Sequence, residues 1–188
     1  MITKKILSLV ASITKLFMIL VFFSNNSNAE QNDSKYYSED QGTISLMYHR
    51  FNEDKYPSTN IKMDIFKKQI NIIKDKNYIF ENPKDFDLKF NNPKNKKKVL
   101  ITIDDAFSSF YNHAWPYLKE NKIPFILFVS TEAVGKHGYM SWKQIKEIEK
   151  EKFAFLGNHS HSHDYLVDLT FENFKEDINK SIKIFKKE

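Results

Sequence analysis

The chain has 188 residues, of which 41% are hydrophobic, 28% charged and 15% aromatic, enough for one sizeable core and too few for two ordinary domains with linkers. That balance excludes a disordered tail, 4 Gly and 5 Pro exclude a collagen-like chain, and the absence of Cys excludes disulfides, thiolate zinc sites and cysteine nucleophiles, so any metal must bind through His and carboxylates. The net charge of +5 is carried by Lys, with Arg50 the single arginine; because Arg performs most base readout, no nucleic-acid partner is expected.

In chain order, Lys4 and Lys5 form a positive segment, Leu16 to Phe23 is uninterrupted apolar sequence, and Ser27-Asn28-Ala29 supplies the small residues of a cleavage site before Glu30. This predicts a cleavable export signal over residues 1–29 and a periplasmic, cell-envelope or secreted location. A retained anchor is the competing reading, and membrane contact is expected only in that case; Lys15 argues against it, since a charge within a span is costly. Residues 30–42 are polar and read as a tether, with the folded domain over 43–188.

Thr43 to Tyr48 (TISLMY) is the first predicted strand. Phe66, Ile70 and Ile73 then share a helical face after the potential cap Asp64. From Phe80 to Lys98 the sequence reads as a loop, broken by Pro83 and Pro93, and its Lys96-Lys97-Lys98 run as a solvated charge cluster. Val99 to Ile103 (VLITI), Phe125 to Val129 (FILFV) and Phe153 to Leu156 are further strands. Trp142, Ile145 and Ile148 mark a helix with Ser141 and Gln144 as its capping box, and Phe171, Phe174, Ile178, Ile182 and Phe185 mark a last helix capped by Thr170. Continuous apolar strands spaced by helices predict an α/β fold whose parallel sheet is buried on both faces, a barrel or part of one. In such folds chemistry gathers at the carboxyl ends of the strands.

Two such ends carry unusual residues. Asp104 and Asp105 follow VLITI; neighbouring strand residues point to opposite sides, so the two carboxylates should find different partners. A solvated turn with one Asp as a cap is the bland alternative. After the fourth strand comes Gly157-Asn158-His159-Ser160-His161-Ser162-His163, which holds half of the six histidines. His159 and His163 stand at i and i+4, which on a helical turn stacks them on one face, while His161 points elsewhere. Two imidazoles with one carboxylate would make a metal site with open positions for water and substrate; a hydrated His-rich loop is the alternative.

The order Tyr48-His49, Thr102-Ile103-Asp104-Asp105, Pro124 to Val129, Trp142 and Gly157-Asn158-His159-Ser160-x-x-His163 resembles the NodB-homology polysaccharide deacetylases of carbohydrate esterase family 4, from about Thr43 to the end. The resemblance implies a (β/α) barrel of the NodB type and a metal-dependent hydrolase that removes N- or O-linked acetyl groups from an acetylated polysaccharide or oligosaccharide. It further implies Asp104 as general base, and Asp105, His159 and His163 as ligands of a divalent ion, usually zinc. For a shared zinc the three donor atoms should lie about 3 to 4.5 Å apart. The chain departs from the pattern twice. Ala106 stands where the family has Gly, and the family's base-orienting arginine motif, aspartate-tryptophan motif and late histidine acid are not found before Glu188. His49, His113, His137 and His161 are the remaining histidines. The chain is therefore read as the N-terminal portion of the domain, with an inactive carbohydrate-binding or envelope-interaction relative as the alternative, and as poorly soluble and inactive when expressed alone from Glu30.

Overall fold

The computed structural model describes residues 42–85 and 97–188. The predicted export signal or anchor, the tether up to residue 41 and the centre of the 80–98 loop lie outside the described residues. Among these, no helix is long and apolar enough to cross a membrane.

The elements run β1 (Thr43–Tyr48), β2 (Arg50–Phe51), β3 (Asn60–Ile61), α1 (Met63–Asp75), β4 (Ile79–Phe80), β5 (Lys98–Ile103), α2 (Trp115–Asn121), β6 (Phe125–Val129), α3 (Trp142–Glu149), β7 (Ala154–Asn158) and α4 (Phe171–Lys187). β1, β5, β6 and β7 form a parallel sheet in that order, with β4 paired to the start of β5 and β2 paired to β3 separately. Tyr48 pairs with Ile103, Ile103 with Leu127 and Leu127 with Leu156. The carboxyl ends of the four strands therefore finish side by side, which places His49, Asp104, Ser130 and His159 along one rim. The parallel α/β prediction is met.

Val99, Ile101 and Ile103 of β5 and Phe125, Leu127 and Val129 of β6 face a core shared with Phe66 and Ile70 of α1, Trp115 and Leu118 of α2, and Ile145 and Ile148 of α3. Burial is one-sided: Leu100 of β5 and Ile126 and Phe128 of β6, which point the other way, are only half-buried, so the expected sheet buried on both faces is not met among the described residues. At the edge of the sheet, β1 leaves Ile44 and Met47 exposed.

Local sequence explains most element boundaries. Ser141 and Gln144 form the predicted capping box on α3, and Thr170 Oγ1 accepts from Asn173 N at the start of α4. α1 departs from expectation: it begins at Met63, so Asp64 lies in its first turn and is not the cap. The free N–H of Met63 is taken by Asn52 Oδ1 at 2.8 Å, a side chain eleven residues earlier. β4 sits at the start of the predicted loop and was not foreseen, nor was α2. The latter is seven residues long and enters through a π-helical turn, Phe110–Ala114, too short for a clear 3.6-residue pattern. The apolar stripe of α4 is not its buried face. Asp177 and Ser181 are buried, while Phe171, Phe174 and Ile182 are exposed.

Candidate active site at the carboxyl rim

The β1–β5 ladder continues one step beyond the strands, with Asp104 N donating to Tyr48 O at 2.8 Å. The chain then turns through two consecutive left-handed residues, Asp105 (φ 70°) and Ala106 (φ 54°). This turn overturns the expectation that the two carboxylates part company. Strand alternation ends at Ile103, and the left-handed step brings Asp104 and Asp105 to one imidazole: His159 Nε2 lies 4.0 Å from Asp104 Oδ2 and 3.5 Å from Asp105 Oδ1. Ala106 thus takes the backbone conformation that glycine adopts most readily. The turn is held from outside by Met140 N donating to Ala106 O and Ser108 N to Gly138 O, both at 2.9 Å.

The histidines reach the site by a different route from the predicted helical turn. Residues 159–163 are not helical; Ser160 (φ 67°) and His163 (φ 64°) are left-handed and fold the segment back on itself. His159 N continues the β6–β7 ladder onto Val129 O. Ser160 N donates to Asn158 Oδ1, and His163 N to Ser160 Oγ. From α4, Asp177 Oδ1 accepts from His161 N at 2.7 Å and Oδ2 from Ser162 N at 2.8 Å. Ser181 Oγ bonds the Asn158 amide. The polar buried face of α4 is therefore the support of this loop. The result places the His159 and His163 rings 4.8 Å apart. His161 turns away, its Nδ1 2.9 Å from Thr131 Oγ1, as expected.

Asp105, His159 and His163 each offer one ligand atom, and these lie within 4.8 Å of one another, slightly wider than the 3 to 4.5 Å expected. Asp105 Oδ1 is 3.0 Å from His163 Nε2, close enough for an ion pair, yet it is buried and has no hydrogen-bond partner. Short distance without hydrogen-bond alignment means that the ring nitrogens do not point at the oxygen. Buried carboxylate oxygens seldom lack a partner, and this one together with two imidazole nitrogens is a donor set that suits a divalent ion. Asp104 Oδ1 is likewise buried and unpartnered. Burial raises the Asp104 pKa above its ordinary 3.8, helped by Asp105 and opposed by the charges of His159, His49 and His163.

Among these is a residue to which the sequence reading gave no role. His49 directly follows β1, on the strand beside β5, close enough to Asp104 for its charge to act on that carboxyl. Its position after an apolar strand, and its place in the Tyr48-His49 pair that opens the resemblance, were the available signals.

Residues 91–188, just over half of the chain, match the family described as polysaccharide deacetylase. The chain belongs to the polysaccharide deacetylase family. Among relatives of the chain, the poly-beta-1,6-N-acetyl-D-glucosamine N-deacetylase of Staphylococcus aureus is 30% identical over 105 residues, 49% of this chain and 36% of that one. YxkH of Bacillus subtilis is 26% identical over 142 residues, 74% of this chain and 50% of that one. The chain thus spans half or less of the curated relatives it matches. Of solved structures, IcaB from Ammonifex degensii aligns with a TM-score of 0.65 and 27% identity, covering 78% of this chain and 69% of that one. The Streptococcus pyogenes deacetylase PplD in complex with acetate aligns with 0.65 and 25%, covering 77% and 68%. The fold is accordingly the parallel α/β type of the NodB deacetylases.

Proposed function

We propose that this deacetylase-family chain removes acetyl groups from an acetylated polysaccharide or oligosaccharide, with a divalent ion, zinc, held by Asp105, His159 and His163. The observation that supports this most is the buried, unpartnered Asp105 Oδ1 facing two imidazole nitrogens at the carboxyl rim of the sheet. An ion there supplies Lewis-acid stabilisation of the oxyanion that develops on the acetyl carbonyl.

The remaining chemistry falls to side chains. Asp104 accepts a proton from the water that adds to the acetyl carbon, and a divalent ion beside it would favour its ionised, proton-accepting form. When the carbon–nitrogen or carbon–oxygen bond breaks, the electron pair leaves on the sugar heteroatom, which requires a proton. His49, the histidine at the same rim whose charge acts on Asp104 and which lies outside the ligand set, is the group we assign to deliver it. Products are acetate and a free amine or hydroxyl. The acting unit is residues 43–188, behind an export signal at 1–29 and a tether at 30–42, so the substrate is an envelope or secreted polymer.

The test is acetate release from β-1,6-linked N-acetylglucosamine oligomers by the zinc-loaded chain, compared with Asp104→Asn and His49→Gln. The lack of the family's late histidine led to the expectation of an inactive chain; with His49 in the acid's role, zinc-dependent release by the parent and loss in both variants with zinc retained is the result expected instead. Zinc binding without release from N- or O-acetylated oligomers would identify a non-catalytic relative.

A further inference from the structure

The turn that carries Asp104 and Asp105 is costly in isolation, because two consecutive non-glycine residues, Asp105 and Ala106, stand at positive φ. Contacts from outside must hold it, and several converge on the next residue. Phe107 pairs with Tyr139 in an isolated antiparallel bridge, and their rings lie 4.8 Å apart. The Arg50 guanidinium sits 3.4 Å over the Phe107 ring and 4.2 Å from the Tyr56 ring. Arg50 is the chain's single arginine and its side chain is only 15% exposed, so these cation–π contacts are largely shielded from water. Tyr56 is itself held at φ 63° and is 53% exposed. A strained residue that leaves a large ring half in solvent gains little for the core, and the guanidinium beside the ring accounts for its place.

Arg50 also directly follows His49, and the segment 48–51 runs beside the segment 104–109. Asp104 N donates to Tyr48 O at 2.8 Å, and Phe51 N to Ser109 Oγ at 3.3 Å, with the Arg50–Phe107 contact between the two in sequence. Among the described residues the one carboxylate paired with Arg50 is Glu53, at 2.9 Å. It therefore works on the backbone of the turn and not on the charge of Asp104 or Asp105. We propose that Arg50 is a positioning residue of the site: through Phe107 it holds the left-handed Asp105–Ala106 turn in the form that brings both carboxylates to His159. The need arises at Ala106, whose side chain makes φ 54° costly, whereas a glycine there would hold the turn unaided. The inference rests on the metal-site reading for what the turn presents.

The experiment uses the full chain and two readouts: amide hydrogen exchange at Met140 without metal, and titration with cobalt(II), whose visible spectrum reports its coordination. Met140 N donates to Ala106 O, so its exchange follows opening of the turn. Arg50→Gln should speed that exchange and weaken cobalt binding, each by about 10-fold, the order of one desolvated cation–π contact, and should alter the cobalt spectrum. Arg50→Lys, which keeps a cation beside the rings, should restore most of both. In the Ala106→Gly background the same Arg50→Gln change should alter exchange and cobalt affinity by less than about 3-fold. Tyr56→Ala, which removes only one ring from the guanidinium, is a milder variant that should move both readouts in the same direction if Arg50→Gln folds poorly. Unchanged exchange, unchanged cobalt binding, or losses of equal size in the two backgrounds would assign Arg50 to packing of the β2–β3 connection alone and overturn the proposal. A parent that binds no cobalt, while exchange still depends on Arg50 only when Ala106 is present, would leave the clamp on the turn standing and remove the metal reading.

Discussion

Asp104 carries a cost that the metal-free protein should reveal. Its carboxyl is buried, and its pKa is raised chiefly by that burial. A carboxyl with a raised folded pKa binds its proton more tightly in the native state, so its ionisation penalises folding above the folded pKa, and the penalty vanishes below the unfolded value near 3.8. Asp104→Asn is therefore expected to raise the melting temperature of the metal-free chain at pH 7, with a difference that shrinks as the pH falls toward 4. A gain that is the same at both pH values would show that packing, not ionisation, is the cause. In the zinc-loaded chain the same variant should keep the ion and lose turnover.

Ala106 gives a second residue-scale expectation. At φ 54° an L-residue is held at a cost of roughly 1–2 kcal/mol, whereas removing its buried methyl forfeits about 0.8 kcal/mol. Ala106→Gly should be neutral or stabilising by up to about 1 kcal/mol, and Ala106→Val, branched at a positive φ, should be clearly destabilised. Urea midpoints at constant m-value decide both. The resemblance flagged Ala106 as a departure from the family, and the structure shows the turn formed in spite of it.

At the scale of elements, the strands and the two motifs were legible because they are local. An apolar run ending in two carboxylates, and three histidines in five residues, can be read without knowing what packs against them. What supports them was not legible, because it depends on contacts remote in sequence. The 3.6-residue pattern of Phe171, Phe174, Ile178, Ile182 and Phe185 pointed to an apolar buried face for α4, yet the helix turns Asp177 and Ser181 inward. The Asn52 cap of α1 and the place of His49 beside Asp104 are tertiary facts of the same kind.

Asp177 turns this into an expectation. Burial pushes its pKa up, but the hydrogen bonds from His161 and Ser162, with the nearby His161 charge, outweigh that and hold it below the ordinary carboxylate value. The stabilisation is therefore present at neutral pH and lost as the pH falls through the folded pKa. Asp177→Asn keeps the size but replaces one acceptor oxygen by a donor facing a backbone N–H, at about 1–3 kcal/mol. The variant should melt lower than the parent at pH 7 and bind cobalt(II), a spectroscopic substitute for zinc, more weakly. Its deficit in stability should shrink in acid. An unchanged cobalt spectrum and affinity would show that the loop keeps its shape without the carboxylate.

For the whole molecule, the arrangement joins distant parts of the chain across the sheet. Asp105 follows β5, and His159 and His163 follow β7, with β6 between them. An ion shared by the three would tie both flanks of β6 and favour only the folded chain, since the unfolded one does not hold the donors together. Free ligand at about 100 times its dissociation constant adds about 2.7 kcal/mol, and for a domain of this size each kcal/mol moves the melting temperature by roughly 2–4 °C. Zinc at that concentration should raise the midpoint by about 5–11 °C, and a chelator should reverse the rise. His159→Ala and His163→Ala should abolish most of the shift, since each removes one of three protein ligands, while His161→Ala, whose ring is turned to Thr131, should keep zinc affinity within a few-fold. A zinc shift lost equally in all three histidine variants would move the ligand role to a different pair. A chain whose melting is indifferent to zinc, cobalt and chelator alike would show that the buried Asp105 oxygen is satisfied some other way, and the hydrolytic reading would fall with it.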